Sequence, residues 1–353
     1  MRKRLSGLIL TAMMVLAFLS GCGDAGESHS SFTDRASGEG SYADRKVGIC
    51  IYLESDKFMA MFRNELVNYL VLKGFSRDNI LIYSSENDQD VQMEQFKELV
   101  TSHVDALIVN PVNSNVVRLM TDMAIANKIP CVYINREPSA DEEDKWEEYE
   151  LDVSYVGCDA RQSGILQGKI ILDIGEKKLD VNGNGRIEYY MLEGDPENSD
   201  STYRTAYSVS TLENAGMKLE CLFQDVADWD RTTARLATYK EMIGADKPEL
   251  IICNNDAMAL GAKDAALEVG LKPGVDVFIV GVDGLPEALE SVMDGSLSGT
   301  VFNDFISQSH SAADAAINYI DGLSNEHYIG CDYIKISSEN AEKYLKLVNE
   351  KEN

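Results

Sequence analysis

The chain is 353 residues long and strongly acidic, with 59 Asp and Glu against 32 Lys and Arg and a formal net charge of −27. A field of that sign excludes nucleic acid and anionic lipid surfaces as partners. With 44% hydrophobic residues, the chain beyond its first segment is long enough for two domains with separate cores.

At the start, Arg2, Lys3 and Arg4 precede an apolar run over 5–19, and Leu19-Ser20-Gly21-Cys22 closes it with small residues ahead of a cysteine. This resembles a bacterial lipoprotein signal, which implies that 1–21 are a removed signal peptide and that Cys22 carries lipid. The protein would then be anchored in the cell membrane through Cys22, on its extracytoplasmic face. An uncleaved span fits less well, because the run is shorter than the roughly 20 residues a bilayer needs. Residues 22–44 are rich in Gly, Ser and charge and read as a flexible tether.

Beyond the tether, short β-branched runs alternate with helical patterns of roughly 10 to 18 residues. Strands are predicted over 46–53, 79–83, 106–109, 131–134 and 155–158, and a second series over 187–192, 219–224, 250–253, 277–280 and 299–302. Residues 58–73 and 257–269 place apolar side chains at three- and four-residue spacing and are read as helices. Such alternation means an α/β architecture of parallel sheets covered by helices. Two runs of it imply two similar lobes.

Between the two series, the acidic segment 141–150 with Trp146 among its carboxylates reads as a solvated excursion. The nine residues from Asp180 to Glu188 place side-chain oxygens at alternate positions around Gly183 and Gly185, the front of a calcium-binding loop. The twelfth position of such a loop would be Met191, so its closing ligand must come from elsewhere. The alternative is an Asn/Gly turn that binds nothing. Beyond Cys22 there are six cysteines, most of them in apolar runs and none in a Cys-x-x-Cys pair. They read as free, buried thiols, with one or two disulfides left open. His29, His103, His310 and His327 have no zinc spacing.

The residues just past the strands carry more information than the strands themselves. Asp56 and Phe58, Asn135, Asp159, Asn254-Asn255-Asp256, Asp283 and Asn303-Asp304 all lie beyond strand ends. In open parallel sheets ligands bind outside those carboxyl ends. A row of Asp and Asn offers paired donors and acceptors, as sugar hydroxyls require. Such residues also cap helices, and many do only that.

The motifs Ile51-Tyr52, Asn87-Asp88-Gln89, Glu137-Pro138, Tyr155-Val156-Gly157, Trp229-Asp230, Asn254-Asn255-Asp256-Ala257-Met258, Gly281-Val282-Asp283 and Leu285-Pro286-Glu287 occur in this order and spacing. Together they make the chain, from about Arg45 to Asn353, resemble the galactose/glucose-binding branch of the type I periplasmic binding proteins, which deliver sugars to ABC transporters. The resemblance implies two lobes joined by a hinge, with 45–157 and 304–336 in the first and 158–303 and 337–353 in the second. It implies that Asp56 holds a sugar hydroxyl, that Phe58 and Trp229 stack on opposite sugar faces, and that Asn135, Asp200, Arg204, Asn255, Asp283 and Asn303 are further polar ligands. Asn198 stands where the family has histidine, which puts discrimination at the sugar's hydroxymethyl end in question. The same resemblance completes the calcium loop with side-chain oxygens of Asp180, Asn182, Asn184 and Glu188, the carbonyl of Arg186 and the remote carboxylate of Glu249, a structural Ca2+ site of about seven oxygens.

The implied function is a monomeric sugar-binding lipoprotein that captures glucose or galactose and hands it to a permease. A surface sensor reporting to a chemoreceptor or sensor kinase would differ only in its partner. A glycosidase using Asp56 and Asp283 as acid and nucleophile is the rival from another class. Against it, nothing in the sequence sets an acid of raised pKa against a base, so no enzyme activity is expected.

Overall fold

The computed structural model describes residues 42–244 and 247–352. The expected signal peptide, Cys22 and nearly all of the expected tether lie outside the described residues. At the tether's end, Tyr42 already stacks on Phe75 with ring centroids 5.0 Å apart and donates to Asp321. Packed chain therefore begins before residue 45.

The first series runs β1 (Val47–Ile51), α1 (Lys57–Leu72), β2 (Ile80–Ser84), α2 (Gln89–Thr101), β3 (Ala106–Val109), α3 (Val117–Ala126), β4 (Cys131–Ile134), α4 (Ala140–Glu148) and β5 (Val153–Cys158). The second runs α5 (Ala160–Ile174), α6 (Glu176–Leu179), β6 (Ile187–Glu193), α7 (Ser199–Asn214), β7 (Leu219–Val226), α8 (Arg231–Gly244), β8 (Leu250–Cys253), α9 (Asp256–Glu268), β9 (Phe278–Val280), α10 (Pro286–Asp294) and β10 (Thr300–Asn303). The chain ends with α11 (Phe305–Ile320), β11 (Tyr328–Cys331), β12 (Tyr333–Ile336) and α12 (Ala341–Glu352).

Two parallel sheets result, each covered by helices. The first has the order β11-β5-β4-β3-β1-β2 with every pairing parallel. The second has the order β7-β6-β8-β9 and continues through the bridges Val280–Gly299 and Asp283–Phe302 to β10, which pairs antiparallel with β12. β1, β3, β4, β5 and β8 are buried along their whole length, as strands covered on both faces must be. β2 and β7, at sheet edges, are mostly half-exposed or exposed.

The chain crosses between the sheets three times, after β5, after β10 and between β11 and β12. The last crossing corrects the expected lobe boundary. The resemblance puts all of 304–336 in the first lobe, but Tyr333–Ile336 pairs with Thr300–Asn303 in the second. The crossing therefore falls at Asp332, because β12 finds its hydrogen-bond partners on β10.

Two further expectations are corrected by burial. The acidic segment 141–150 is largely helix α4. Its first turn carries Asp141, Glu142 and Glu143, charges that favour a helix amino end. Trp146 is fully buried and stacks on Tyr133 with centroids 5.6 Å apart, while its indole donates to Glu142 at 3.3 Å. One large ring turned inward makes a helix of carboxylates part of the core. The six cysteines beyond Cys22 are all free; Cys50, Cys131, Cys158 and Cys253 are buried, but Cys221 is exposed on edge strand β7.

Trp146→Ala should therefore cost about 3–5 kcal/mol of unfolding free energy, the range for emptying a buried aromatic site, measured by urea denaturation followed by circular dichroism. A loss below about 1 kcal/mol would return the segment to the solvated surface.

Candidate functional site

The carboxyl ends of both sheets face one cleft, and a narrow cavity of about 30 Å³ sits in it. All ten residues expected at a sugar site line it: Asp56, Phe58, Asn135, Asn198, Asp200, Arg204, Trp229, Asn255, Asp283 and Asn303. Sequence reasoning missed three that join them, Tyr52, Met59 and Arg136. Arg136 directly follows Asn135 at the end of β4, and that position was its only signal. Along the cleft the cavity opens into a wider chamber that shares Tyr52, Asp56, Phe58, Trp229, Asn255 and Asp283 with it.

Several of these side chains are aimed by unusual backbone. Asn135 (φ 64°), Trp229 (φ 64°) and Asp283 (φ 128°) are non-glycine residues in the left-handed region, where strain concentrates at functional sites. Two glycines make room for them. A Cβ on Gly194 would collide with the Trp229 indole, so only glycine lets that ring lie down at the end of β6. Gly284 has φ 76°, and a Cβ there would stand 2.5 Å from the Phe302 ring; it turns the chain immediately after Asp283.

On the first lobe, Asp56 does two jobs. One oxygen caps α1 by accepting from the Met59 N–H at 2.8 Å, and the other accepts from the Tyr52 hydroxyl at 2.5 Å. On the second lobe, Asn198 caps α7 through the Asp200 N–H and Asn255 caps α9 through the Met258 N–H. Capping and lining the cavity thus coexist in Asp56, Asn198 and Asn255. Asp159 and Asp304 cap α5 and α11 without lining the cavity. Asn254 accepts from Gly194 and Ser201 and stays in the interior.

Arg204 is 3% exposed and forms the electrostatic centre. Its guanidinium donates to Asp200 at 2.8 Å, to the Asn254 carbonyl at 2.9 Å and to the Tyr333 hydroxyl at 3.0 Å, and lies 3.9 Å from Asp283. Burial works against its charge, but Tyr333, Asp200 and Asp283 more than offset that and raise its pKa. Burial pushes the Asp283 carboxyl well above the usual range, with Arg204 pulling the other way. Asp200 is also raised by burial, countered by Arg204. Two buried donors in this wall, Arg204 Nε and Trp229 Nε1, have no protein partner. An acceptor-bearing molecule in the cavity could meet both.

The loop from Asp180 to Glu188 does gather around Glu249. The two oxygens of Glu249 accept from the N–H groups of Asn182 and Glu188 at 2.8 and 3.1 Å. The Asn182 and Asn184 amides donate to Glu188, and Asp180 Oδ1 is buried with no partner. Among the described residues no three acidic, histidine or cysteine side chains converge as a metal cluster. Amide oxygens, the Arg186 carbonyl and the orphaned Asp180 oxygen would have to complete the set, and as hard oxygen donors they suit calcium.

Two hinged parallel sheets with a polar, ring-lined cleft between their carboxyl ends define a solute-binding protein. Residues 47–324 match the family described as periplasmic binding protein domain. The chain is 32% identical to the D-galactose/methyl-galactoside binding periplasmic protein MglB of Haemophilus influenzae, over 86% of this chain and 93% of that protein. It shares its fold with an ABC transporter solute binding protein from Bacillus halodurans that holds myo-inositol (24% identity, 88% of this chain and 99% of that one, TM-score 0.73). A second such structure, from Actinobacillus succinogenes with D-allose, has 20% identity, 85% and 100% coverage and a TM-score of 0.75. The chain belongs to the periplasmic binding protein family, among the type I sugar-binding proteins of ABC transporters.

Behind the cavity wall, fully buried Asp256 fixes the turn that presents Asp283. It accepts from the Gly284 and Leu285 N–H groups at 2.7 and 2.9 Å and from the Thr300 hydroxyl at 2.6 Å. Burial still outweighs these bonds and pushes its pKa up to about 6. Between pH about 4 and 6 the unfolded chain gives up this proton while the folded chain keeps it, so stability present below that window is lost as pH rises through it. The loss from this group should be roughly 3 kcal/mol. Asp256→Asn, which can still accept from both N–H groups, should flatten that part of the stability profile, read from urea midpoints against pH. A slope identical to the parent's would mean Asp256 titrates normally.

Proposed function

We propose that this protein captures a monosaccharide such as glucose or galactose between its lobes and delivers it to an ABC permease, while held at the outer face of the cell membrane by lipid on Cys22. The observation that carries this reading is a cavity lined by residues from both lobes, with rings from Phe58 and Trp229, carboxylates and amides beside them, and the unpartnered buried donors Arg204 Nε and Trp229 Nε1. A pyranose offers apolar C–H faces to rings and a rim of hydroxyls, each one donor and two acceptors, to such groups. The names of the relatives support the class: MglB is a galactose and methyl-galactoside binder, and a Bacillus subtilis relative 28% identical over 76% of this chain is a ribose import binding protein. Hydroxyls donating to Asp283 would favour its charged form. Asn198, in place of the family's histidine, still donates and accepts.

No catalysis is part of this reading, and aryl glycosides incubated with the protein should remain intact. D-Glucose or D-galactose should raise the melting temperature, by an amount equivalent to about 2.7 kcal/mol at a hundredfold excess over the dissociation constant. Trp229→Ala should cost about 2 kcal/mol or more of that binding, as the loss of a central ring does. If no aldohexose or pentose shifts the midpoint at millimolar concentration, the sugar-binding reading fails.

The loop's oxygens further support a structural Ca2+ that ties residues 180–188 to the start of β8 through Glu249. Asp180, Glu188 and Glu249 would repel one another without it. Chelation should lower the melting temperature and leave sugar stoichiometry unchanged, and Glu249→Gln should mimic chelation and stop responding to calcium. A variant that melts like the parent and still responds would remove Glu249 from the site.

A further inference from the structure

Arg136 belongs to the first lobe and Asp195 to the second, and the two meet across the cleft at 3.8 Å. The pair is well shielded, with Arg136 4% and Asp195 22% exposed at their side chains. The Arg136 guanidinium lies 4.0 Å over the Tyr52 ring and donates to the Val112 carbonyl, so it is held in place from its own lobe before anything approaches from the other. A second bond runs alongside it. The Asn113 amide donates to Glu197 at 3.2 Å, again from first lobe to second. Because Arg136 bonds to Val112, the loops after β3 and β4 form one surface, and the segment after β6 closes on it.

That segment also carries ligand-facing residues. Asp195 and Glu197 make the cross-lobe contacts, Asn198 lines the cavity and caps α7, and Asp200 lines the cavity and holds Arg204. Asp195 Oδ1 accepts from the Glu197 N–H at 2.8 Å, which makes the segment a tight turn instead of a loose loop. A molecule that orders Asn198 and Asp200 therefore orders Asp195 and Glu197 with them.

We propose that Arg136 and Asp195 form a cross-lobe latch that couples occupation of the cavity to closure of the lobes, acting as positioning residues that set how long a ligand is retained. This rests on the sugar-capture reading for its ligand but not for its geometry. A shielded charge pair that exists only when the lobes are together stabilises the closed form and slows release, leaving the encounter rate nearly unchanged.

The test uses Asp195→Asn, because asparagine keeps an oxygen for the Glu197 N–H and loses only the charge, together with Arg136→Gln and the double variant. Release of D-galactose and D-glucose is followed by stopped-flow tryptophan fluorescence, since Trp229 lines the cavity. Asp195→Asn should release sugar about tenfold faster with an unchanged association rate, Arg136→Gln, which also alters the cavity wall, should release it at least as fast, and the double variant should be no faster than Arg136→Gln. Asp195→Glu should restore slow release, and added salt should speed release in the parent but not in Asp195→Asn. The ligand-free proteins are compared by small-angle scattering, where Asp195→Asn should shift the parent towards a larger radius of gyration. Unchanged release in Asp195→Asn, or effects that simply add in the double variant, would overturn the latch. If the parent binds neither sugar, the capture reading fails and scattering alone decides: an unchanged radius in Asp195→Asn overturns the latch and a larger one supports it.

Discussion

A guanidinium sealed from water organises one whole wall of the cleft. Burying a charge is tolerable only when it is paired and hydrogen-bonded, and Arg204, whose Nε alone is left without a protein partner, draws its matches from four separate stretches: Asp200 on its own helix, the Asn254 carbonyl after β8, the Tyr333 hydroxyl on β12 and Asp283 after β9. None of these could move away without stranding a charge. The requirement to neutralise one side chain thus brings α7, β8, β12 and the β9–β10 connection to a single point. Asp283 depends on the same cation, since a carboxylate buried to 5% exposure would otherwise be costlier still.

The wall is stiff where contact would be made. Trp229 and Asp283 are held in left-handed backbone, and Gly194 and Gly284 permit close approaches that any side chain would block. Rigid donors and rings lose little freedom when a small molecule arrives, which is the main route to affinity in a site of this size. The three crossings between the sheets are where a few residues would absorb the dihedral change if the lobes open and close.

Much of this was legible in the chain. The buried parallel strands are unbroken apolar runs, so β1, β3, β4 and β8 stand out against the helical patterns between them. β11 and β12 do not. Tyr-Ile-Gly-Cys and Tyr-Ile-Lys-Ile are short, separated by one residue and only partly buried, and nothing local says that they belong to different sheets. Trp146 was hidden by its carboxylate neighbours, because helix periodicity is invisible when one ring supplies nearly all of the buried face. Strand-end polar residues gave the location of the cleft but not its membership. Asp56, Asn198 and Asn255 cap helices just as Asp159 and Asp304 do, and only position in three dimensions separates the two groups. Arg204, inside α7, has no local signature and came from resemblance. Arg136 was missed because a buried arginine looks the same in sequence as a solvated one.

The three crossings also govern the order in which the molecule can assemble. The first sheet lacks its outer strand β11 until residues 328–331 arrive, and the second lacks β12 until 333–336. The same late arrivals tie Tyr42 to Asp321 and Glu65 to Lys351. Contacts spanning nearly the whole chain slow folding, because loops must close before those contacts form. Each sheet is therefore completed only when residues 328–336 are in place, so both lobes take their final strands from one short, late segment.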